Sequence, residues 1–286
     1  MRRTSFVIGA VLIGGMLAAG ACLPAIGAGA LLHPSRHVTT AARPSPCEDA
    51  SFSAAGVTLK GWRCHASAQA RGTIVYLHGI ADNRGSAAGS IQRYTSRGFD
   101  VIAYDSRAHG ESEGAACTYG FFEKQDLHRV VDTIATRPII LMGTSLGAAV
   151  ALQEAADDPR IAAIVAAETF SDLRTVASER APGFFTRGTI ERSFTRAEKE
   201  ADFDVDEVSP EKAASRITIP VLLIHGAEDV ETPPAHSERV RRALKGPAEL
   251  ILVPGAGHNH SLSGDVWTRI DAWIERVAER FSGSRF

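Results

Sequence analysis

Three residues of types that act together in nucleophilic catalysis lie far apart in the chain: Ser145, Asp229 and His258. A serine hydroxyl is a weak nucleophile by itself, and it attacks a carbonyl carbon only when a nearby base takes its proton. A histidine can supply that base, and a carboxylate can hold the imidazole in the correct tautomer. These residues therefore predict acyl transfer through a covalent intermediate on Ser145.

The surroundings of Ser145 support this interpretation. Gly143 and Gly147 flank it at two-residue spacing, directly after the apolar run at residues 139–142 and before an alanine-rich stretch. The pattern predicts a sharp turn from a strand into a helix, in which the serine backbone is strained and small neighbours leave the hydroxyl exposed. The five residues 143–147 alone are weak evidence for a catalytic serine, so the prediction depends on the strand before them and the helix after them.

His258 is the predicted base, and Asp229 is the predicted orienting acid. Each follows a short apolar run that is typical of a strand, at residues 219–224 for Asp229 and at residues 249–253 for His258. The loops that follow parallel strands meet at one edge of a sheet, so both side chains can converge on the serine.

Other polar residues near these runs are given different roles. Glu168 is the alternative acid, because it also ends a predicted strand. His260 lies two residues from His258, but no third ligand follows at a suitable spacing, so neither a metal nor another cofactor is expected. Structural roles are expected for four further residues: His78, Asp105, Arg107 and His109.

Negative charge that develops on the substrate oxygen needs hydrogen-bond donors fixed in advance, usually two backbone amides. The amide of Leu146, directly after the serine, is the first predicted donor. The second is the amide of Ile80, in the loop after a predicted strand at residues 73–77, where Gly79 lets the backbone approach closely.

A scaffold of alternating strands and helices is predicted to carry these loops. Such alternation is typical of a mostly parallel sheet with helices on both faces. The interval at residues 173–214 interrupts it with scattered phenylalanines and is predicted to form a short helical cap. The predicted strands cover residues 73–77, 101–104, 139–142, 161–167, 219–224 and 249–253, and the predicted helices cover residues 86–97, 123–136, 146–156 and 265–281.

An antiparallel hairpin is predicted before this scaffold, with its turn at Ala55-Gly56. In that register Cys47 lies opposite Cys64, and opposed positions on paired strands are within disulfide range. We therefore predict a disulfide between them, which leaves Cys117 as a lone thiol. A register slip of one residue would instead leave two unpaired, small, buried residues.

The first 32 residues differ from the rest of the chain. Two arginines precede an uncharged stretch from residue 4 to residue 32, which is long enough to span a bilayer. Three interpretations stay open: a retained membrane anchor, a signal peptide cleaved near Ala21 or Ala30, and a lipoprotein acylated at Cys22. Each places the rest of the chain outside the cytoplasm, with residues 33–46 as a tether.

The composition is that of an ordinary globular protein. Of 286 residues, 44% are hydrophobic and 22% are charged, which is enough for one domain at residues 47–286 with a large core. The net charge is −2 and no basic run occurs, so the chain lacks the clustered cations that a nucleic-acid surface requires.

Taken together, the chain resembles the α/β-hydrolase superfamily, in particular its small exported or membrane-anchored serine hydrolases with a short cap. The resemblance covers roughly residues 48–282. It implies the α/β-hydrolase fold and cleavage of small acyl esters, with peptide or amide substrates and a membrane-tethered, catalytically idle binding protein as alternatives. Five motifs carry it: His78-Gly79, the loop at residues 105–112, the turn at residues 143–147, the segment at residues 225–229 and the loop at residues 255–258.

Overall fold

The computed structural model describes residues 22–282, and an eight-stranded sheet runs through the centre of this part of the chain. The strand order is β1-β2-β4-β3-β5-β6-β7-β8. Strand β2 pairs antiparallel with both β1 and β4, and the remaining neighbours are parallel. The predicted mostly parallel sheet with an antiparallel N-terminal hairpin is confirmed.

The strands are β1 (Cys47–Ser53), β2 (Thr58–Cys64), β3 (Thr73–Leu77), β4 (Asp100–Tyr104), β5 (Ile139–Thr144), β6 (Ile161–Ala167), β7 (Val221–Gly226) and β8 (Ala248–Val253). The helices are α1 (residues 22–32), α2 (Ala88–Thr95), α3 (Glu123–Asp132), α4 (Leu146–Ala155), α5 (Leu173–Glu179), α6 (Arg187–Ala201), α7 (Pro210–Ala214), α8 (Ala235–Ala243) and α9 (Val266–Ser282). Short 3₁₀ helices cover Arg84–Ala87 and Val205–Glu207.

The central strands are apolar because helices cover both faces of the sheet. All residues of β3 and β6 are buried. On one face, Leu127 of α3, Leu152 of α4 and Val240 of α8 belong to one core cluster. On the other face, Ile91 of α2 and Trp273 of α9 belong to a second. Because β3, β5, β6, β7 and β8 are parallel, their C-terminal ends lie at the same edge of the sheet.

The predicted strands and helices are present, and their ends differ by a few residues from the prediction. The structure also contains α8, which was not predicted from the sequence. Helix α3 ends at Asp132 rather than at residue 136. Directly after it, the Thr133 amide bonds the Val130 carbonyl and tightens the last turn. The interval predicted as a cap contains α5, α6 and α7.

Helix α1 is packed into the domain, although the sequence assigns its residues to the membrane-directed stretch. Ala28 and Leu32 are fully buried in a cluster that includes Leu173 of α5 and Phe194 of α6. Residues 1–21, which include the predicted cleavage site near Ala21, lie outside the described residues. Within residues 22–282, no helix combines the length and apolar character needed to cross a bilayer.

The predicted tether, residues 33–46, forms neither helix nor strand and follows the domain surface at its beginning. The ring of His33 bonds the Ala115 carbonyl at 3.0 Å, and Arg36 donates to the Ser112 carbonyl at 2.8 Å. These contacts fix the chain between α1 and β1 to the loops beside the sheet.

The predicted hairpin register and disulfide are both present. Cys47 lies opposite Cys64 on β1 and β2, and the two are joined by a disulfide. Cys117 is a buried free thiol and Cys22 is an exposed one.

Reduction of this disulfide should lower the free energy of unfolding by about 2–4 kcal/mol, because the bond restricts the unfolded chain between residues 17 positions apart. Urea denaturation of the full chain with and without dithiothreitol measures the effect. The double variant Cys47→Ser/Cys64→Ser is the control, and its midpoint should not respond to the reductant. Equal midpoints for the unreduced and reduced native protein would contradict the prediction.

Candidate active site

Ser145 joins β5 to α4 in a strained turn. Its φ of 49° lies in the left-handed region that residues with a side chain rarely adopt. A Cβ atom at Gly143 would lie 2.4 Å from the Gly147 backbone, and one at Gly147 would lie 2.2 Å from the Leu77 carbonyl oxygen. Only glycine fits these two positions, so the sharp turn predicted from the sequence is set by the residues on either side of the serine.

The three residues predicted to act together are adjacent in the structure. The ring of His258 donates from Nδ1 to Oδ2 of Asp229 at 2.6 Å, and the Ser145 hydroxyl lies 3.1 Å from Nε2 of the same ring. Because the Nδ1 proton faces the carboxylate, Nε2 is free to accept the proton of the serine. All three side chains are buried.

Asp229 is held as a carboxylate by several donors. Its Oδ1 accepts the amides of Thr232 at 2.8 Å and Glu231 at 3.0 Å. Burial alone would raise the pKa of Asp229, but hydrogen bonds from His225, His258 and the Thr232 amide outweigh it and hold the pKa well below its usual range. The group is therefore ionised at neutral pH, as an orienting acid must be.

His225, the next-to-last residue of β7, makes a contribution to the site that was not predicted from the sequence. Its Nε2 lies 3.3 Å from Oδ2 of Asp229 and 2.7 Å from the Thr232 carbonyl, while Nδ1 accepts from the Ser237 hydroxyl at 2.7 Å. A histidine near the end of an otherwise apolar strand, four residues before an acid, is the signal that could have revealed this contribution. The ring orients the loop that carries Asp229.

Glu168, the alternative acid, supports the loop that carries His258. Its carboxylate accepts the amide of Asn259 at 2.6 Å and that of Ser261 at 3.0 Å. The nearest approach of this carboxylate to Nδ1 of His258 is 3.9 Å, compared with 2.6 Å for Asp229. Glu168 is thus placed to position the histidine through its backbone, and Asp229 to bond the ring.

The two predicted oxyanion donors belong to segments that flank the serine. Leu146 is the first residue of α4, and amides in the first turn of a helix have no carbonyl to bond within that helix. A Cβ atom at Gly79 would lie 3.6 Å from the Ser145 Cβ, so the loop that leads into Ile80 passes beside the nucleophile. Leu146 thus follows the nucleophile directly, and the loop before Ile80 passes beside it, so the two amides stay the predicted oxyanion donors.

His78 and His109 lie buried beside this loop. His78 donates from Nδ1 to the Gly79 carbonyl at 2.7 Å and accepts the Ser106 amide on Nε2 at 3.0 Å. Burial lowers the pKa of His78, and burial together with the neighbouring His78 ring lowers the pKa of His109 to about 4. Both rings are neutral at pH 7 and hold loops in place.

The other two residues given structural roles also hold loops. Asp105 accepts the amides of Arg84 at 2.7 Å and Glu111 at 2.9 Å, and it pairs with the Arg84 side chain. Arg107 forms two hydrogen bonds to Asp126, at 2.6 and 2.7 Å.

One group of candidate metal ligands occurs among residues 22–282, and it lies away from the serine. It consists of His128, Glu154 and Asp158, whose ligand atoms lie within 4.8 Å of one another. The Arg160 guanidinium donates to Asp158 at 2.6 Å and lies 3.3 Å from both ring nitrogens of His128. A cation already occupies this position, so we interpret the group as an ion-pair network.

Comparison with known proteins identifies the family. Residues 74–270 match the alpha/beta hydrolase family, and the chain belongs to it. YfhR of Escherichia coli K12, an uncharacterised protein, is 29% identical over 240 residues, which cover 78% of each chain.

Two solved structures share the fold. The esterase Pf2001 of Pyrococcus furiosus has a TM-score of 0.67 at 23% identity, with 86% of this chain and 97% of the esterase covered. The acylaminoacyl peptidase of Pyrococcus horikoshii has a TM-score of 0.64 at 17% identity, with 81% of this chain and 41% of the peptidase covered.

Proposed function

We propose that the protein is a serine hydrolase that cleaves carboxylic esters through an acyl-enzyme on Ser145. The observation that carries this proposal is the continuous hydrogen-bond chain from Asp229 to His258 at 2.6 Å and from His258 to Ser145 at 3.1 Å. With the Nδ1 proton of His258 directed at Asp229, Nε2 can accept the proton of the serine hydroxyl, as a neutral imidazole that acts as a base must.

In the first half-reaction, the Ser145 oxygen attacks the ester carbonyl carbon while His258 takes the hydroxyl proton on Nε2. The imidazolium that forms is stabilised by the ionised Asp229. The tetrahedral oxyanion accepts hydrogen bonds from the amides of Leu146 and Ile80. His258 then returns the proton to the departing alcohol oxygen, which leaves an ester between Ser145 and the acyl group.

In the second half-reaction, His258 takes a proton from a water molecule that attacks the acyl carbon. Collapse of this second tetrahedral intermediate breaks the bond to Ser145, and the histidine returns the proton to the serine oxygen. The products are a carboxylic acid and a free enzyme. The protein groups alone complete this cycle.

Ester substrates are favoured over amides because an alcohol is a better leaving group than an amine. The esterase and peptidase that share the fold show that it accommodates both chemistries, and the fold itself does not choose between them. A peptidase or amidase is therefore the second candidate. A catalytically idle, tethered binding protein is the third, and the assembled serine, histidine and aspartate count against it.

Labelling of the full chain with a fluorophosphonate, together with hydrolysis of 4-nitrophenyl acetate and of the matching acetanilide, tests the proposal. We expect labelling, and we expect a kcat/KM for the ester far above that for the anilide. Equal rates on both would favour the amidase. A protein that is neither labelled nor active would be the idle binding protein.

We further propose that the catalytic domain works outside the cytoplasm. The disulfide between Cys47 and Cys64 supports this location, because such bonds persist in oxidising compartments and are rare in the cytosol. The basic N-terminus followed by an uncharged stretch is a second argument, drawn from the sequence alone.

In a bacterial host that produces the full chain, the domain should be degraded when protease is added to spheroplasts, or be found shortened and soluble outside the inner membrane. Cell fractionation and N-terminal sequencing distinguish the anchored form from the cleaved form. A full-length protein that stays soluble inside protease-treated spheroplasts would contradict export.

A further inference from the structure

An apolar cavity of about 420 Å³ lies between α1 and the cap helices α5 and α6. Its walls include Ile26 and Leu31 of α1, Val176 of α5 and Phe194 of α6. A volume of this size lies within the range of about 300–1,000 Å³ that is typical of sites for small organic ligands. Aliphatic and aromatic walls favour a hydrocarbon ligand over a polar one.

The charged side chain in this lining is already engaged. Among the residues described, Arg180 is the one charged residue that borders the cavity. It donates to the Glu231 carbonyl at 2.8 Å and to the Thr232 hydroxyl, both on the loop that carries Asp229. The cavity therefore offers no free charge to a ligand, which again favours an uncharged hydrocarbon chain.

The cavity borders the loop that passes beside the nucleophile. Ile80, whose amide is a proposed oxyanion donor, lines it, and the preceding Gly79 passes beside Ser145. A more polar cavity of about 500 Å³ borders the same loop and includes Thr144 and Asn259 in its lining. The apolar cavity is thus within reach of a chain esterified to Ser145, and the polar one suits the alcohol side of the ester.

Helix α1 is firmly held as a wall of the apolar cavity. The Leu32 carbonyl accepts the Cys117 amide at 2.8 Å, and the Leu31 carbonyl accepts the Tyr119 hydroxyl at 3.0 Å. A Cβ atom at Gly27 would lie 2.3 Å from the Ser193 hydroxyl oxygen, so α1 and α6 approach as closely as glycine permits.

We propose that this cavity binds the acyl chain of the substrate and that α1 closes it, so that the enzyme prefers medium-length unbranched acyl chains over acetyl groups. This inference rests on the proposed ester hydrolysis at Ser145. It makes the N-terminal helix a specificity-determining element of the site.

The position of α1 also constrains processing of the chain. Cleavage after Ala21 would leave α1 complete, whereas cleavage after Ala30 would remove Ile26 and Gly27 and open the cavity. A processed, active enzyme should therefore begin at Cys22 or earlier, so that α1 is kept whole.

The test compares kcat/KM for 4-nitrophenyl octanoate and 4-nitrophenyl acetate on the full chain. We expect the octanoate to exceed the acetate by at least ~100-fold, because each methylene buried in an apolar pocket adds to transition-state binding. Ala30→Phe fills the cavity from α1 and should lower this ratio at least ~10-fold. Ala177→Phe fills the cavity from α5 and should lower the ratio by a similar factor. It serves as the test variant if Ala30→Phe folds poorly.

Gly29→Phe is the matched control. A Cβ atom at Gly29 contacts nothing within 4 Å, and the residue is absent from the cavity lining, so the octanoate-to-acetate ratio should stay at the native value. Calorimetric titration of the Ser145→Ala protein with octanoate measures binding without turnover. Ala30→Phe in that background should weaken it at least ~10-fold.

These readouts separate the two proposals. An inactive protein that binds octanoate in an Ala30-dependent way would overturn ester hydrolysis and leave the cavity assignment standing. An active enzyme with equal rates on both esters, or with a chain preference that neither Ala30→Phe nor Ala177→Phe reduces, would overturn the cavity assignment alone.

Discussion

Replacement of Ser145 with alanine should abolish ester hydrolysis, with a loss of about a millionfold in turnover. The hydroxyl oxygen is the atom that forms the acyl-enzyme, and its hydrogen bond to His258 at 3.1 Å is the path by which its proton leaves. Fluorophosphonate labelling should disappear as well. Initial rates with 4-nitrophenyl acetate and labelling of the purified full chain measure both effects.

The fold should survive this change. The Ser145 side chain makes no capping hydrogen bond to α4, and alanine experiences the same positive φ as serine. Ser261→Ala is a suitable control, since that buried hydroxyl has no hydrogen-bond partner and lies on the loop that carries His258. Ser261→Ala should keep its label. Labelling of Ser145→Ala at the native rate would show that another residue is the nucleophile.

Much of the scaffold could be predicted because its determinants are local. The turn at Ser145 depends on Gly143 and Gly147, which are visible in five consecutive residues. The hairpin register depends on a short turn, and it places Cys47 opposite Cys64 in the structure as the sequence suggested. Buried strands are apolar whichever helices cover them, so the sequence predicts that the strands exist. Their first and last residues differ slightly between the prediction and the structure.

The role of α1 could not be predicted because its determinants are distant. The composition of residues 22–32 is the same whether lipid or protein covers them, and hydropathy alone joins them to the preceding stretch. Burial of Ala28 and Leu32 depends on α5 and α6, which lie much later in the chain. The same limit applies to α8. Its nine residues are too few to show a clear helical spacing of apolar residues, and the two prolines before it are the main sign that a helix begins there.

The choice between the two carboxylates also depends on tertiary distance. Asp229 and Glu168 both follow strands at one edge of the sheet, and their sequence contexts are similar in kind. Only the folded chain separates them, with Asp229 at 2.6 Å and Glu168 at 3.9 Å from Nδ1 of His258. This difference in distance motivates the second large prediction.

Asp229→Asn should reduce turnover by about 10⁴-fold. An asparagine amide can donate to Nδ1 of His258, which moves the ring proton to Nε2, where it faces Ser145 and prevents the ring from acting as a base. Loss of the negative charge also removes the stabilisation of the imidazolium. The kcat for 4-nitrophenyl acetate, measured beside the native protein, gives the magnitude.

Glu168→Gln is the matched comparison, because it also replaces a buried carboxylate with an amide of the same shape. One oxygen can still accept an amide from Asn259 or Ser261, while the new NH₂ group faces the other donor. We expect a loss of about 1–3 kcal/mol in the free energy of unfolding, and a loss of turnover much smaller than that of Asp229→Asn. If Glu168→Gln were the more damaging to turnover while both variants stayed folded, the orienting acid would be Glu168, and Asp229 would serve to hold its loop.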